Sequence, residues 1–422
     1  MKILHVVHQY APDFVGGTEL YTATLATEQV KRQHTVSIFV PSTQSPDSTG
    51  NLSKSTEDGI DVYRALLGPR SANRVFADTI FGSSQIMAAF EQVLADVKPD
   101  IVHIQHLMGV PAAVATVVTQ ANIPYVVTLH DYWYGCANAQ LLTNYDQTIC
   151  AGPNAMYTNC GRCAFARAGR PVLARWMSPT LAPLMAHRQH KLRTVLANAK
   201  SVIPPTRFVQ TTYQQMGFNT SSFVHIPHGI ELPINLVSHA KESAEKHRAE
   251  LSARLVVTYV GGISPQKGLT TLIQAFNQLP EDATLTIYGD LEKFPDYVSQ
   301  LRQLISHAGI SLAGRLPHAQ IWETLATADF VAIPTHWYET YSLIIDEAFA
   351  VNTPILASNI GAVAERIRHD IDGLLIPKED VEAWRKTLQS VYDDQEIKSR
   401  LQANIRPTFA LSTHVDQVLD LY

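Results

Sequence analysis

Short β-branched runs and longer helical patterns alternate along the chain. KILHVV, TVSIFV, IDVYRA, DIVHIQ, YVVTLH, SVIPP and FVHIP read as strands, since brief apolar runs bounded by polar or turn residues suit buried parallel strands. Helical spacing separates most of them, for example over Gly17 to Val30 and Asp78 to Val97. A polar, charged segment, SHAKESAEKHRAELSAR, interrupts the rhythm from Ser238 to Arg254. It then restarts with RLVVTYV, ATLTIY, ISLAG, DFVAIP and PILAS, and STHVDQVLDLY closes the chain as an amphipathic helix. Alternating βα units imply parallel sheets with helices on both faces, so two blocks imply two doubly wound, Rossmann-like α/β domains. The expected division is 1–235, a linker over 236–254, 255–405, and a closing helix over 406–422 that crosses back. Two such domains would place a cleft between the carboxyl ends of their strands. A long non-periodic insert, 132–178, breaks into the first domain, and inserts of that length are usually functional or metal-stapled.

Composition adds constraints. At 422 residues, 46% of them apolar, the chain can bury two cores. MKILHVVHQY reads as a strand and not a signal peptide, and no apolar run nears the roughly 18 residues that span a bilayer. A cytoplasmic location with reduced cysteines is therefore expected. The net charge of −5 hides an uneven distribution: between Asp146 and Glu231 there are nine Lys or Arg and no acidic residue. Such an island suits an anionic partner, either phosphate groups or an acidic membrane surface, or else it is a solvated face. Within it, Trp176, Met177, Leu181, Leu184 and Met185 mix with Arg, so 162–207 could contact an anionic membrane peripherally and meet a lipid-linked acceptor. Core packing under a basic face is preferred, because Pro179 and Pro183 should break a long surface helix. The island lacks aromatic interleaving, so no nucleic-acid partner is expected.

Two loops carry candidate chemistry. Strand VVTYV runs into GGISPQKG, where Gly261 and Gly262 allow close backbone approach and Lys267 can set a charge on phosphate. The spacing is neither a P-loop nor a dinucleotide fingerprint, and a plain turn with a surface lysine is the alternative. Gly16 and Gly17 repeat the arrangement before the first helix. After DFVAIP, Glu339 falls in a loop and Glu347 inside the next helix, with Ser342, Leu343 and Ile344 at its N-terminus. Free N–H groups there suit phosphate, and a carboxylate on either side suits sugar and ribose hydroxyls. Eight residues apart, the two acids should touch different parts of one ligand.

ETYSLIIDEA resembles the Glu–x7–Glu motif of the retaining glycosyltransferases of GT-B fold, family 4. GGTE, VTLHD, IPHGI, GGISPQKG, IYGD, GRLPHAQIWETLATAD, GAVAERI and DGLLIP follow in that family's order over nearly the whole chain. The resemblance implies retaining transfer of a sugar from a nucleotide-diphosphate sugar, UDP- or GDP-linked, to a glycan, lipid-linked or small-molecule acceptor. It implies that Glu339 binds donor-sugar hydroxyls, Glu347 the ribose, and Lys267 the diphosphate with the N–H groups of Leu343 and Ile344. Gly16 and Gly17 would open the first loop toward phosphate and acceptor, and His130 would line the sugar pocket. His5, His8, His103 and His106 have no such support and read as structural. One departure stands out: where the family often has Arg after the first loop glycine, this chain has Gly262, so charge neutralisation would rest on Lys267 and helix dipoles unless Arg207 or Arg315 reaches in. The leaving phosphate would take the acceptor's proton, without a catalytic divalent metal. A sugar-nucleotide epimerase of the same fold and a non-catalytic nucleotide-sugar-binding module are the rivals.

All four cysteines, Cys136, Cys150, Cys160 and Cys163, lie in the insert. A C-x2-C plus two further thiols supplies the ligands of a tetrahedral structural zinc. Free or redox-active thiols and an iron–sulfur cluster are the alternatives.

Overall fold

The computed structural model describes residues 1–14, 16–46, 50–233, 237, 238, 240, 242–244, 248 and 253–422, apart from the side chains of Pro171, Leu173, Arg175 and His318. The chain divides into two compact units, Met1–Pro227 with Ser412–Tyr422, and His228–Leu411.

The first unit is built on a seven-stranded sheet. Its strands are β1 (Lys2–Val6), β2 (Thr35–Ser42), β3 (Leu52–Glu57), β4 (Ile60–Leu66), β5 (Ile101–Ile104), β6 (Tyr125–Thr128) and β7 (Ser201–Ile203), in the order β3-β4-β2-β1-β5-β6-β7. Every pairing is parallel except β3 with β4. Strands β5 and β6 are buried at every position, which is why they read as unbroken apolar runs. Polar LSKSTE forms the antiparallel edge strand β3, whose composition concealed it. FVHIP is not a strand: its backbone makes only the isolated bridge Val202–Phe223. The pattern over Asp78 to Val97 resolves into two helices, Ala72–Phe81 and Ser84–Val97, because Gly82 between them takes a φ of +91°. The closing helix, Leu411–Leu419, lies mostly within this unit.

Pro179 and Pro183 do not break their helix, contrary to expectation. Pro171–Ala197 runs unbroken for 27 residues with both prolines inside. An interior proline costs roughly 3 kcal/mol, so packing must outweigh it. Helix Thr158–Arg167 supplies that packing, because Gly161 allows near backbone contact: a Cβ there would lie 2.2 Å from the Ser178 carbonyl oxygen. Met185 and Leu192 bury the inner side.

The second unit holds β8 (Leu255–Val260), β9 (Ala283–Tyr288), β10 (Ile310–Gly314), β11 (Phe330–Ile333), β12 (Ile355–Ser358) and β13 (Gly373–Ile376). They form one all-parallel sheet in the order β10-β9-β8-β11-β12-β13. Of the polar linker expected over 236–254, residues 236, 239, 241, 245–247 and 249–252 lie outside the described residues. Val237 and Ala240 are buried in a core of this unit with Ile321, Trp322 and Ile345.

Asp329, almost wholly buried, ties this unit together. Its carboxylate accepts from Arg248 at 2.8 Å, from Lys398 at 2.6 Å and from the Val256 N–H at 2.8 Å. Burial opposes its ionisation, but Arg248 and Lys398 outweigh that and hold its pKa below the ordinary value. Its stabilising contribution is therefore complete above the unfolded pKa near 4 and is lost as pH falls through the folded one. Asp329→Ala, stranding two cations, should cost about 3–5 kcal/mol at pH 7 in urea denaturation. A loss under about 1 kcal/mol would show that the cations find other partners.

Candidate functional site

In the second unit the strand order reverses between β8 and β11, and a sheet of this kind opens a crevice at the carboxyl ends of those two strands. The loops leaving them are zipped together. His336 N–H donates to the Gln266 carbonyl at 2.9 Å, and Gly268 sits with φ +74° against the Pro334 carbonyl. A Cβ on Gly268 would lie 1.8 Å from that oxygen, so only glycine fits. This closure brings Lys267 Nζ to 2.9 Å from Glu339 Oε1 and within 5.7 Å of the Trp337 ring centre.

Glu339 is buried, which alone would keep it neutral. The Lys267 charge, with hydrogen bonds from Lys267, Thr335 and Ser342, outweighs burial and holds its pKa below the ordinary carboxylate value. Glu347 has the opposite balance. Burial, reinforced by the neighbouring Asp346 charge, pushes it up to about 7. Helix Ile344–Ala350 begins only after Ser342 and Leu343, so Glu339 is a loop residue and helical spacing does not relate the two acids. Ser342 holds a left-handed φ of +70°, an uncommon state for a side-chain-bearing residue. Arg366 steadies it: its Nη1 donates to the Tyr341 and Ser342 carbonyls at 2.9 Å each, and its guanidinium stacks on the Tyr341 ring. Arg366, Thr335 and Gly268 were not singled out from sequence, although Arg366 lies within the GAVAERI stretch. Gly262 and Gly17 have open space where a Cβ would go, so packing within the chain does not require glycine at either. Arg315 pairs with Asp290 at 2.7 Å.

The first unit reverses strand order between β1 and β5. His8 follows β1, Gln105 and His106 follow β5, and His130 and Asp131 follow β6. Gly16 caps, and Gly17 starts, helix Gly17–Lys31. His130 Nε2 lies 2.9 Å from Gln105 Oε1, and burial, with the His106 charge, lowers its pKa to about 3. It is therefore a neutral ring. His106 Nε2 lies 3.3 Å from Asp131, and the His8 and His106 ring centres are 4.3 Å apart. Two of the histidines read as structural thus stand at the same strand ends as His130. The other two, His5 and His103, are fully buried within the sheet.

The expected zinc site is not supported. All four cysteines are free thiols, and among the described residues no three His, Cys, Asp or Glu are spaced to hold a metal. Burial raises Cys136 and Cys163, and burial with the neighbouring thiols pushes Cys160 up to about 12. The sulfurs instead accept local N–H groups, Cys163 from Asn144 at 3.3 Å and Cys150 from Gly152 at 3.4 Å. All four line an apolar cavity of about 810 Å³ with Phe76, Leu181 and Met185. Much of the basic island is occupied internally: Arg188, Lys191, Arg193 and Lys200 donate to the Trp133, Ile80, Gly217 and Tyr422 carbonyls. Among the described residues no helix is long and apolar enough to cross a membrane.

Comparison with known proteins agrees with this geometry. A D-inositol 3-phosphate glycosyltransferase of Xylanimonas cellulosilytica is 27% identical over 40% of this chain, and the chain spans only 42% of that relative's length. A glycogen synthase of Mycobacterium tuberculosis is 24% identical over 93% of this chain and 86% of its own. The crystal structure of Anabaena HepE with UDP and glucose superposes with a TM-score of 0.67 at 20% identity, covering 100% of this chain and 98% of that one. Sucrose-phosphate synthase from Thermosynechococcus elongatus superposes at 0.69 with 18% identity, over 100% and 98%. These likenesses show the GT-B fold. The family model "Glycosyl transferase 4-like domain" matches residues 16–229, half of the chain, and "Glycosyl transferases group 1" matches 241–407. The chain belongs to the family 4 glycosyltransferases.

Proposed function

We propose that the protein transfers a glycosyl group from a nucleoside diphosphate sugar to a hydroxyl of its acceptor, with retention of anomeric configuration. The observation that carries this reading is the half-buried Lys267–Glu339 pair where β8 and β11 end. Without donor, the Lys267 ammonium neutralises Glu339. An arriving diphosphate draws Lys267 toward itself and frees the carboxylate to accept from sugar hydroxyls. The bond from the anomeric carbon to the leaving oxygen breaks, and its electrons pass to the diphosphate. Lys267 and the N–H groups of Leu343 and Ile344 stabilise that charge. The acceptor hydroxyl attacks from the same face and gives its proton to the leaving phosphate, so neither glutamate is a nucleophile and no divalent metal is called on. His130 lines the sugar pocket, and Gly16, Gly17 and Gly262 keep backbone open to donor and acceptor. The UDP and glucose of the Anabaena structure support a uridine donor as the first to try.

The test is nucleotide release from UDP-, GDP- and ADP-sugars, with native protein and Glu339→Gln. One donor should turn over, and the variant should lose about a hundredfold in rate. Folded protein that turns over none of them would defeat the reading, and conversion of donor without nucleotide release would favour an epimerase.

Glu347 supplies a pH signature. A carboxylate can accept from both ribose hydroxyls, but Glu347 sits near pH 7 as an acid and must lose its proton to do so. Affinity for the nucleoside diphosphate should therefore rise about tenfold between pH 6 and pH 8 relative to Glu347→Gln. Calorimetric titration at both pH values measures this, and parallel pH profiles in the two proteins would remove Glu347 from the ribose.

The acceptor side favours a lipid-linked substrate at a membrane surface. Val172 and Trp176, one helical turn apart, are 82% and 81% exposed in a stretch without acidic residues. Native protein should float with vesicles containing phosphatidylglycerol, and Trp176→Ser should weaken that binding severalfold. Absence of binding by native protein would defeat the membrane reading and leave the transfer reading intact.

A further inference from the structure

His130 stands at one end of a continuous buried chain of hydrogen bonds that runs through the first unit. His130 Nε2 meets Gln105 Oε1 at 2.9 Å, and Gln105 Nε2 meets His5 Nδ1 at 3.1 Å. His5 Nε2 meets Gln29 Oε1 at 2.8 Å, and Gln29 Nε2 meets the Tyr422 hydroxyl at 3.0 Å. That hydroxyl reaches His103 Nδ1 at 2.5 Å, and His103 Nε2 reaches Thr128 Oγ1 at 2.8 Å. Thr128 bonds the Tyr21 hydroxyl, which lies 2.8 Å from His414 Nε2. His414 Nδ1 ends the chain on the Pro227 carbonyl oxygen at 2.6 Å. The side chains of His5, Gln29, His103, Gln105, Thr128 and His414 are wholly buried.

The carbonyl at the far end sets the direction of every link, because it can only accept. His414 must therefore donate from Nδ1. Burial lowers the pKa of His414 and of His5 to about 4 and that of His103 further, so each ring is neutral and has one N–H. His414 Nε2 then accepts, and the Tyr21 proton goes to it. Tyr21 can only accept from Thr128, so Thr128 Oγ1 accepts from His103 Nε2–H. His103 Nδ1 takes the Tyr422 proton, and the Tyr422 oxygen accepts from the Gln29 amide. Gln29 Oε1 then faces His5 Nε2–H, His5 Nδ1 accepts from the Gln105 amide, and Gln105 Oε1 accepts from His130. Each amide orientation and each tautomer follows from the one before, with no choice left open.

We infer that Tyr422, Gln29, His5 and Gln105 are positioning residues that hold His130 in its Nε2–H tautomer, leaving Nδ1 as the ring's only acceptor. A sugar hydroxyl that meets Nδ1 must then donate to it, and none can be recognised there as an acceptor. This consequence rests on the proposed place of His130 beside the donor sugar; the relay itself does not.

The experiment is nitrogen-15 NMR of the full-length protein labelled at histidine, with His130 assigned through His130→Gln. Native His130 should be protonated at Nε2 and bare at Nδ1 from pH 5 to pH 8. A proton on Nδ1, or a mixture, would overturn the inference without any further variant. In Tyr422→Phe, Gln29 loses its acceptor and is free to turn over, so His5, Gln105 and His130 can invert in sequence. A new Nδ1–H population of His130 should accompany a fall of about tenfold in kcat, with KM for the donor changed less than about twofold. His130 unchanged in a folded Tyr422→Phe would remove Tyr422 from the relay and sink the inference. A changed tautomer with unchanged transfer would uphold the relay and instead defeat the placing of His130 at the sugar.

Discussion

The constraint on which the second unit's site depends is the direction of its strands. With all six parallel, each chain crossover leaves a carboxyl edge and returns to an amino edge, so every βα loop collects along one edge. The crossovers from β8 and β11 depart to opposite sides of the sheet, and nothing connects the two strands directly. A notch must form between the loops that leave them. Lys267 comes from one loop and Glu339 from the other, 72 residues later, and they meet because both strands end there. Gly268 permits the closure by giving up its Cβ to the Pro334 carbonyl. A fold with antiparallel neighbours would scatter these loops over two edges and could not make the pair.

The two acids of the motif shift in opposite directions. Both are desolvated, and desolvation alone would protonate both. Glu339 is ionised because a cation and two hydroxyls face it. Glu347 has the Asp346 charge beside it in place of a cation, and so sits near neutrality. The asymmetry suits a site that handles a ligand in parts. The charged acid is already matched to a cation that a phosphate can take over. The other, near its midpoint at neutral pH, can change charge with what approaches it.

The architecture was legible wherever a strand is buried on both faces. KILHVV, YVVTLH and DFVAIP stand out because every position between their first and last residues is buried. The edge strand β3 was not legible, since no position of LSKSTE is buried and the run carries little apolar signal. The prolines of Pro171–Ala197 misled because the compensating contact is tertiary: Gly161 meets Ser178, 17 residues further along the chain. The site divides in the same way. Lys267 and Glu339 could be singled out because each lies in the loop after a readable strand, and Glu347 because it falls in the first turn of the next helix. Arg366 and Gly268 could not, because what they do depends on which carbonyl lies beside them in space. The cysteines show the opposite error. Their spacing suggested ligands, but spacing along the chain does not report placement in space, and among the described residues no three such side chains are set to hold an ion.

The histidines of the first unit make a similar point about buried polarity. A neutral imidazole in a sheet interior must satisfy both an N–H and a lone pair, and each unsatisfied group would cost about 1–3 kcal/mol. Leucine in their places would avoid that demand, so packing alone does not account for three buried rings, two buried glutamines and two tyrosines in one series. A chain in which every group donates once and accepts once satisfies all of them, but only if it runs in a single direction. Reversing one link would leave two donors facing each other, or two acceptors, and in a low-dielectric interior that mismatch is costly. The series therefore behaves as one unit whose direction is decided at the Pro227 carbonyl, remote from His130 along the chain. The series also closes on itself in space, since Tyr21, which meets His414 near the Pro227 end, packs its ring 4.8 Å from that of His130.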